Sequence, residues 1–406
     1  MSDSFIKPFR GLIYNRKRID DIADCVCPPY DIIPDPLPYY KRSDFNAIRL
    51  ELPVAEPGAD VYDAAKKTLD AWLAEGVLSF DAGESIYLYE QEFMLHGKTR
   101  RRTGMIPLVR LDRERILTHE ETRQKAREDR ERLIRRLSTY TSLVFSMYED
   151  KSREIEHLIK VAQKEKMDDF VDELSIRNTF YRMSDPSEIG RLVSMMEEKN
   201  LYIADGHHRL SVAFKLGLPY VAMYLTDMDG EGIAILPYHR IVSLKERKGP
   251  TEILTLLEPY FHSSKMEYEP EGGPDALVDK ISSSPLLSFL LYFGGKEPSL
   301  YMLKEKRTME FDPESHPSMR SLKVNAIHRG VLKHLLGVKD DEISFLNSAD
   351  EAVDLVRQDR YDFAVLVPST SVEEVKDIAD NRLYMPPKST YFYPKILTGL
   401  VFYKYA

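Results

Sequence analysis

The run Asp205-Gly206-His207-His208-Arg209 gathers, in consecutive positions, residue types that together suit an oxyanion. It stands between a predicted strand over Leu201 to Ala204 and a helical pattern carried by Leu210, Ala213, Phe214 and Leu216 that ends at Gly217. The first backbone N–H groups of a helix have no intrahelical acceptor, so negative charge is favoured there. Gly206 accepts a tight turn or the close approach of an oxygen, and Arg209 presents a planar bidentate fork. His207 or His208 can donate to an oxyanion or exchange a proton near neutral pH. Asp205, Gly206, His207 and Arg209 are therefore candidate phosphate-binding residues, with His208 a candidate catalytic proton carrier. Two other readings stay open. One is a helix cap in which Asp205 bonds the first N–H groups, one histidine packs and Arg209 meets a carboxylate. The other is a metal site completed by a distant ligand, since adjacent histidines diverge by about 100° around a helix and do not form the same-face pair of a zinc helix.

Three further residues are candidates. Asp31, in the constrained run Pro29-Tyr30-Asp31, reads as a general base, a metal ligand or an Asx-turn residue. Glu120 belongs to a polar group, His119-Glu120 and Thr122, at a predicted helix start where Thr118 is the expected cap and Glu121 its capping-box partner. Lys388 opens Lys388-Ser389-Thr390, which looks like the end of a Walker loop but lacks the glycine nest and the GxxxxGK spacing. Lys388 and Lys395 instead read as anion contacts, and Tyr391, Phe392 and Tyr393 as a packed or stacking surface.

The elements that must position these residues follow a mixed order rather than regular strand-helix alternation, which predicts an α+β fold. A turn-rich wrapping segment spans Phe9 to Pro57, and a helix is expected from Val61 to Leu73 with Gly76 as its stop. Strands are expected over Ile86 to Phe93 and Thr103 to Leu111, joined near His96-Gly97, then helices over Glu121 to Leu137 and Ile155 to Lys166. At 406 residues the chain predicts two domains. A polar exit between Leu244 and Pro250 divides them into 1–246, an α+β domain bearing the phosphate site, and 247–406, an α/β accessory domain. Cys25 and Cys27 are too close for a structural disulfide and too few for a four-ligand zinc site, so burial as small apolar groups is expected.

Charge and composition exclude some functions. A formal charge of -9 with 43% hydrophobic residues describes a globular chain, not one devoted to coating a phosphate backbone. No reader helix-turn-helix is recognisable, so duplex DNA binding is expected to be weak or absent. The lack of a long apolar run or an apolar export segment predicts a cytoplasmic protein with no membrane partner.

The strings FRGLIYN at Phe9–Asn15, CPPYDII at Cys27–Ile33, THEET at Thr118–Thr122, YIADGHHR at Tyr202–Arg209 and MPPKSTYFYPKILTGL at Met385–Leu400 resemble the bacterial and archaeal family known as domain of unknown function number 1015. More remotely, Asp205 to Arg209 is similar to the phosphate-binding strand-turn-helix of the ParB/sulfiredoxin superfamily, which includes nucleotide-dependent partition proteins and free-serine kinases. That resemblance implies a mixed-sheet ParB/sulfiredoxin-like region elaborated by additional α/β elements. In the kinase-like members a Gly-His followed by a residue and Arg sits on nucleotide phosphates, which corresponds to Gly206, His207 and Arg209, while a separate acid acts on the alcohol. Sulfiredoxin's cysteine beside the turn has no counterpart here. The implied activity is a nucleotide-dependent phosphotransferase or phosphohydrolase, with ATP, ADP or CTP as the nucleotide and Mg²⁺ bridging its phosphates. A non-catalytic regulatory module binding a nucleotide or phosphorylated metabolite, partition-protein-like, is the alternative.

Overall fold

Residues 86–106 build a long antiparallel hairpin, because the β-favouring run Ile86–Tyr89 nucleates the first arm and His96 (φ 50°) and Gly97 (φ 72°) supply the left-handed turn that matches strand twist. This hairpin lies within the larger sheet of the computed structural model, which describes residues 4–266, 273–309 and 311–406. The chain divides into two units, one formed by Met1–Thr118, Thr122–Ile233 and Pro394–Ala406, the other by His119–Glu121 and Ala234–Tyr393. The switch thus falls at 233/234 rather than the expected 246/247, and the carboxyl-terminal segment returns to the first unit. A pairing explains both shifts: Ala234–Leu236 forms a ladder with Tyr391–Tyr393, a long-range contact that no polar linker signals.

The first unit is α+β with a mixed sheet. Its main strand order is Glu165–Val171, Arg177–Met183, Ile86–Leu95, Lys98–Ile106, Tyr220–Asp227, Val144–Tyr148, Leu201–Asp205 and Ile116–Leu117. Tyr220–Asp227 runs parallel to Val144–Tyr148, which runs antiparallel to Leu201–Asp205. Every residue of Tyr220–Asp227 is buried, the pattern of a strand covered on both faces. The register sets Asp205 opposite Phe145 and Asp227 opposite Tyr148, so these two acids mark opposite ends of the central strands.

Helices cover the sheet. Val61–Ala74 starts at Asp60, whose side chain accepts from the N–H groups of Tyr62 and Asp63, and Gly76 (φ 68°) ends it as expected. The helix expected over Ile155 to Lys166 stops at Val161, and Glu165–Val171 pairs with Arg177–Met183 instead. Lys164 Nζ donates to the Ile159 carbonyl at 2.8 Å and so closes the shortened helix.

In the second unit a six-stranded antiparallel sheet packs on both faces. Ile253, Ile327 and Val331 cover one side, and Val278, Val353 and Val356 the other. Cys25 and Cys27 are buried free thiols, with no disulfide between them. No helix among the described residues is long and apolar enough to cross a membrane.

Candidate functional site

The strand Leu201–Asp205 delivers its last residue to a turn made by Gly206, from which the helix His207–Lys215 departs. Gly206 has φ 92°, a region costly for residues with a Cβ. A Cβ there would also lie 3.1 Å from Arg209 Nε and Nη2, so glycine answers both the turn and the guanidinium packed against it.

Arg209 is 4% exposed and folds back onto the strand ends rather than projecting outward. Its Nη2 donates to Asp205 Oδ2 at 2.6 Å and its Nη1 to the Leu143 carbonyl at 2.5 Å, while Nε is buried with no acceptor. Lys395, from the returning carboxyl-terminal segment, donates to the other Asp205 oxygen. Burial pushes the Asp205 carboxyl up, but Lys395 and then Arg209 outweigh it and hold the group down at about 2. Burial pushes His207 down to about 4, so its imidazole is neutral at pH 7.

A second layer supports the turn. Glu51, wholly buried, accepts from the hydroxyls of Thr141 and Ser142 and lies 3.5 Å from Arg130 Nη1. The Arg130 guanidinium sits over the Tyr30 ring, 4.2 Å from its centroid. Tyr30 falls within the CPPYDII string without a role assigned to it, and Glu51 and Arg130 carried no motif signal, since a Glu within a four-residue helix looks like any surface acid in sequence. Burial and fields from Asp205, Asp31, Glu51 and Tyr30 act on Arg209 with a net raised pKa.

The structure brings Asp205, Gly206, His207 and Arg209 together, and places Asp31 within electrostatic reach of Arg209. Asp31 is exposed in the short 3-10 turn Tyr30–Ile32 and makes no Asx-turn hydrogen bond among the described residues. His208 turns the other way: its Nε2 accepts the Arg123 backbone N–H at 3.0 Å, at the start of the helix Gln124–Leu137. That contact replaces the Thr118 cap and Glu121 capping box expected there. Glu120 and Lys388 belong to the second unit. Beside Glu120, His119 is wholly buried, with Nε2 3.2 Å from Thr390 Oγ1. Lys388 has φ 56°, and its Nζ lies 4.9 Å from the Tyr238 ring centroid. Among the described residues no group of three or more His, Cys, Asp or Glu side chains is arranged to hold a metal ion.

Solved structures similar to the chain include a conserved hypothetical protein from Pyrococcus furiosus, at 13% identity and TM-score 0.36, covering 71% of this chain and 92% of that one. A free serine kinase in complex with AMP matches at 13% identity and TM-score 0.36, over 70% of this chain and 86% of that one. SbnI with a C-terminal truncation, from Staphylococcus aureus, matches at 11% identity and TM-score 0.37, over 73% and 86%. No curated protein matches the sequence. A family model described as protein of unknown function (DUF1015) matches residues 6–325, most of the chain and all five residues of the Asp205 turn, and the chain belongs to that family.

Proposed function

We propose that the Asp205 turn is an oxyanion site and that the protein is a nucleotide-dependent phosphotransferase or phosphohydrolase of ParB/sulfiredoxin-like ancestry, acting on a small substrate. One observation carries the reading: a single buried carboxylate, Asp205, is shared by two buried cations, Arg209 and Lys395, at the start of a helix. Two cations converge on that one carboxylate, with Asp31 and Glu51 adding smaller negative fields at Arg209, and the helix dipole adds positive potential at the turn. A phosphate oxygen fits these converging donors. Arg209 Nε, buried with no acceptor, is a donor for it.

Within this scheme neutral His207 contributes a hydrogen bond rather than charge. Asp31, exposed and in the field of Arg209, takes the proton from the attacking hydroxyl or water. Mg²⁺, bound together with ATP, ADP or CTP, would supply positive charge to the phosphates, and since no cluster of acids among the described residues is arranged to hold it alone, Asp31 would be its protein carboxylate beside the turn. A regulatory module without chemistry is the second reading. It is favoured by the engagement of both Arg209 terminal nitrogens inside the protein.

Ligand-detected NMR with millimolar ATP, ADP and CTP, with and without Mg²⁺, tests the site. Binding by the wild type, weakened by roughly 1 to 3 kcal/mol in Arg209→Lys, is expected from loss of the Nε donor. Silence from all three nucleotides sinks the nucleotide role. Product formation from small alcohols separates the enzyme from the sensor.

A further inference from the structure

At the opposite strand ends of the first unit lies a cavity of about 310 Å³ between the end of Tyr220–Asp227, the hairpin arm Lys98–Ile106 and the helix Glu154–Val161. That size is near the lower end for small-molecule sites. Its lining includes five basic side chains (Arg101, Arg102, Arg153, Lys160, Lys164) and four acidic ones (Glu90, Glu156, Asp227, Glu231), a balance that suits neither a polyanion nor a polycation.

Most of these charges are already engaged. Arg101 pairs with Glu90 and Glu92, and Arg153 lies 3.4 Å from Glu156. Lys164 is tied to the helix carbonyl noted above. Arg102 is held by Gln91 and the Pro394 carbonyl and stacks on Phe145. Glu231 is exposed to solvent, where pairing contributes little.

Asp227 differs from all of them. It is 5% exposed, and its Oδ1 accepts the backbone N–H groups of Asp150 and Asp229, both at 3.2 Å. Its Oδ2 is buried with no donor, and no cation of the described residues pairs with it. A carboxylate oxygen withdrawn from water without a donor is costly, and a ligand ammonium would supply what the chain does not. Lys160 stands exposed at the edge of the same cavity, in no ion pair or side-chain hydrogen bond among the described residues, and offers the complementary charge.

We propose that this cavity is a second small-molecule site that takes a small zwitterion of the free amino acid class, with its ammonium on Asp227 Oδ2 and its acid group toward Lys160. Burial pushes the Asp227 carboxyl up to about 6, so it is still largely ionised at neutral pH.

Calorimetric titration of the full chain with the common L-amino acids at millimolar concentration, with methylamine and acetate as single-charge controls, tests the assignment. At least one amino acid should bind the wild type, and neither control should. Asp227→Asn keeps the Oδ1 acceptor for both backbone bonds and should weaken binding about tenfold or more, Lys160→Gln by less, and Arg209→Lys not at all. No binding by any amino acid, equal binding by a control, or unchanged binding in a cooperatively unfolding Asp227→Asn variant overturns the proposal. Loss in Arg209→Lys with retention in Asp227→Asn also overturns it, because it moves the ligand to the Asp205 turn. Failure of nucleotide binding leaves this result untouched, so the two sites stand or fall separately.

Discussion

Asp205 and Asp227 end the two strands that flank Val144–Tyr148 in one sheet, and both are withdrawn from water, yet their protons behave oppositely. At Asp205, burial favours the neutral acid, but Lys395 and Arg209 reverse it and hold the group at about 2. At Asp227, burial acts with no cation to oppose it; the Asp229 and Asp150 charges add to the rise, backbone N–H donors offset part of it, and the group settles at about 6. Burial therefore decides the protonation state only where the fold supplies no partner. One end of the sheet has a carboxylate on which two cations converge, and the other has a carboxylate with none. The first arrangement invites an anion, the second a cation.

The largest expected effect comes from removing the shared carboxylate. Asp205→Asn strands two buried cations, and breaking a buried pair in this way costs about 3 to 5 kcal/mol. Urea unfolding at pH 7 should show a correspondingly lower midpoint, and a loss below about 1 kcal/mol would break the contrast between the two acids. The pH dependence has a definite sign. A depressed carboxyl contributes stability that is present above its unfolded value of 3.8 and is lost as pH falls toward about 2.

Asp227→Asn should act in the opposite direction. The folded carboxyl holds its proton to higher pH than the unfolded one, so wild-type stability declines as pH rises from 3.8 through about 6. Asparagine avoids that decline. The variant should be more stable than wild type at pH 7, and the gain should vanish near pH 4, where the wild-type acid is protonated in the fold. Paired thermal unfolding curves across that range measure it, and a variant less stable than wild type at pH 7 would show that the turn depends on the ionised group.

How far the sequence carried this picture depends on the range of the interaction. Local periodicity and turn chemistry placed Val61–Ala74 and the first arm and His96-Gly97 turn of the hairpin, although its second arm is Lys98–Ile106 rather than Thr103 to Leu111, and the Asp205 turn was legible as strand, glycine and helix. What Arg209 does there was not. Its spacing permits an outward fork, but Asp205 four residues earlier and the Leu143 carbonyl from another strand claim both terminal nitrogens. An Arg209 substitution therefore disturbs the apo fold as well as a ligand, contrary to what an outward fork would give. Asp227 was invisible for the same reason. In sequence it is one acid of the turn-rich run Asp227-Met228-Asp229-Gly230, and only the sheet register buries it beside Tyr148.

A smaller effect separates capping from catalysis at His208. Its Nε2 accepts the N–H of Arg123, the residue that precedes the helix Gln124–Leu137, so His208→Ala should cost about 1 kcal/mol, the usual scale for losing such a hydrogen bond at a helix start. His208→Asn restores an acceptor and should recover part of that loss. If turnover with a phosphate donor is found, it should survive both changes, whereas its loss in a stable His208→Asn variant would return the residue to a chemical role.

The smallest expected effect is at Lys160, and it sharpens the comparison because a lysine stands at each end of the sheet. Lys395 is buried against Asp205, so its charge is part of the fold. Lys160 is exposed and forms no ion pair among the described residues, so its charge contributes little that folding would lose. Lys160→Gln should therefore leave the unfolding midpoint within about 0.5 kcal/mol of wild type, the range of ordinary surface substitutions. Amino acid affinity should nonetheless fall, and this fall should shrink as salt is raised, because an exposed charge acts through a screened field. A drop in stability well beyond that range would mean that Lys160 already serves an acid of the chain, and the cavity would then hold no spare cation for a ligand's acid group.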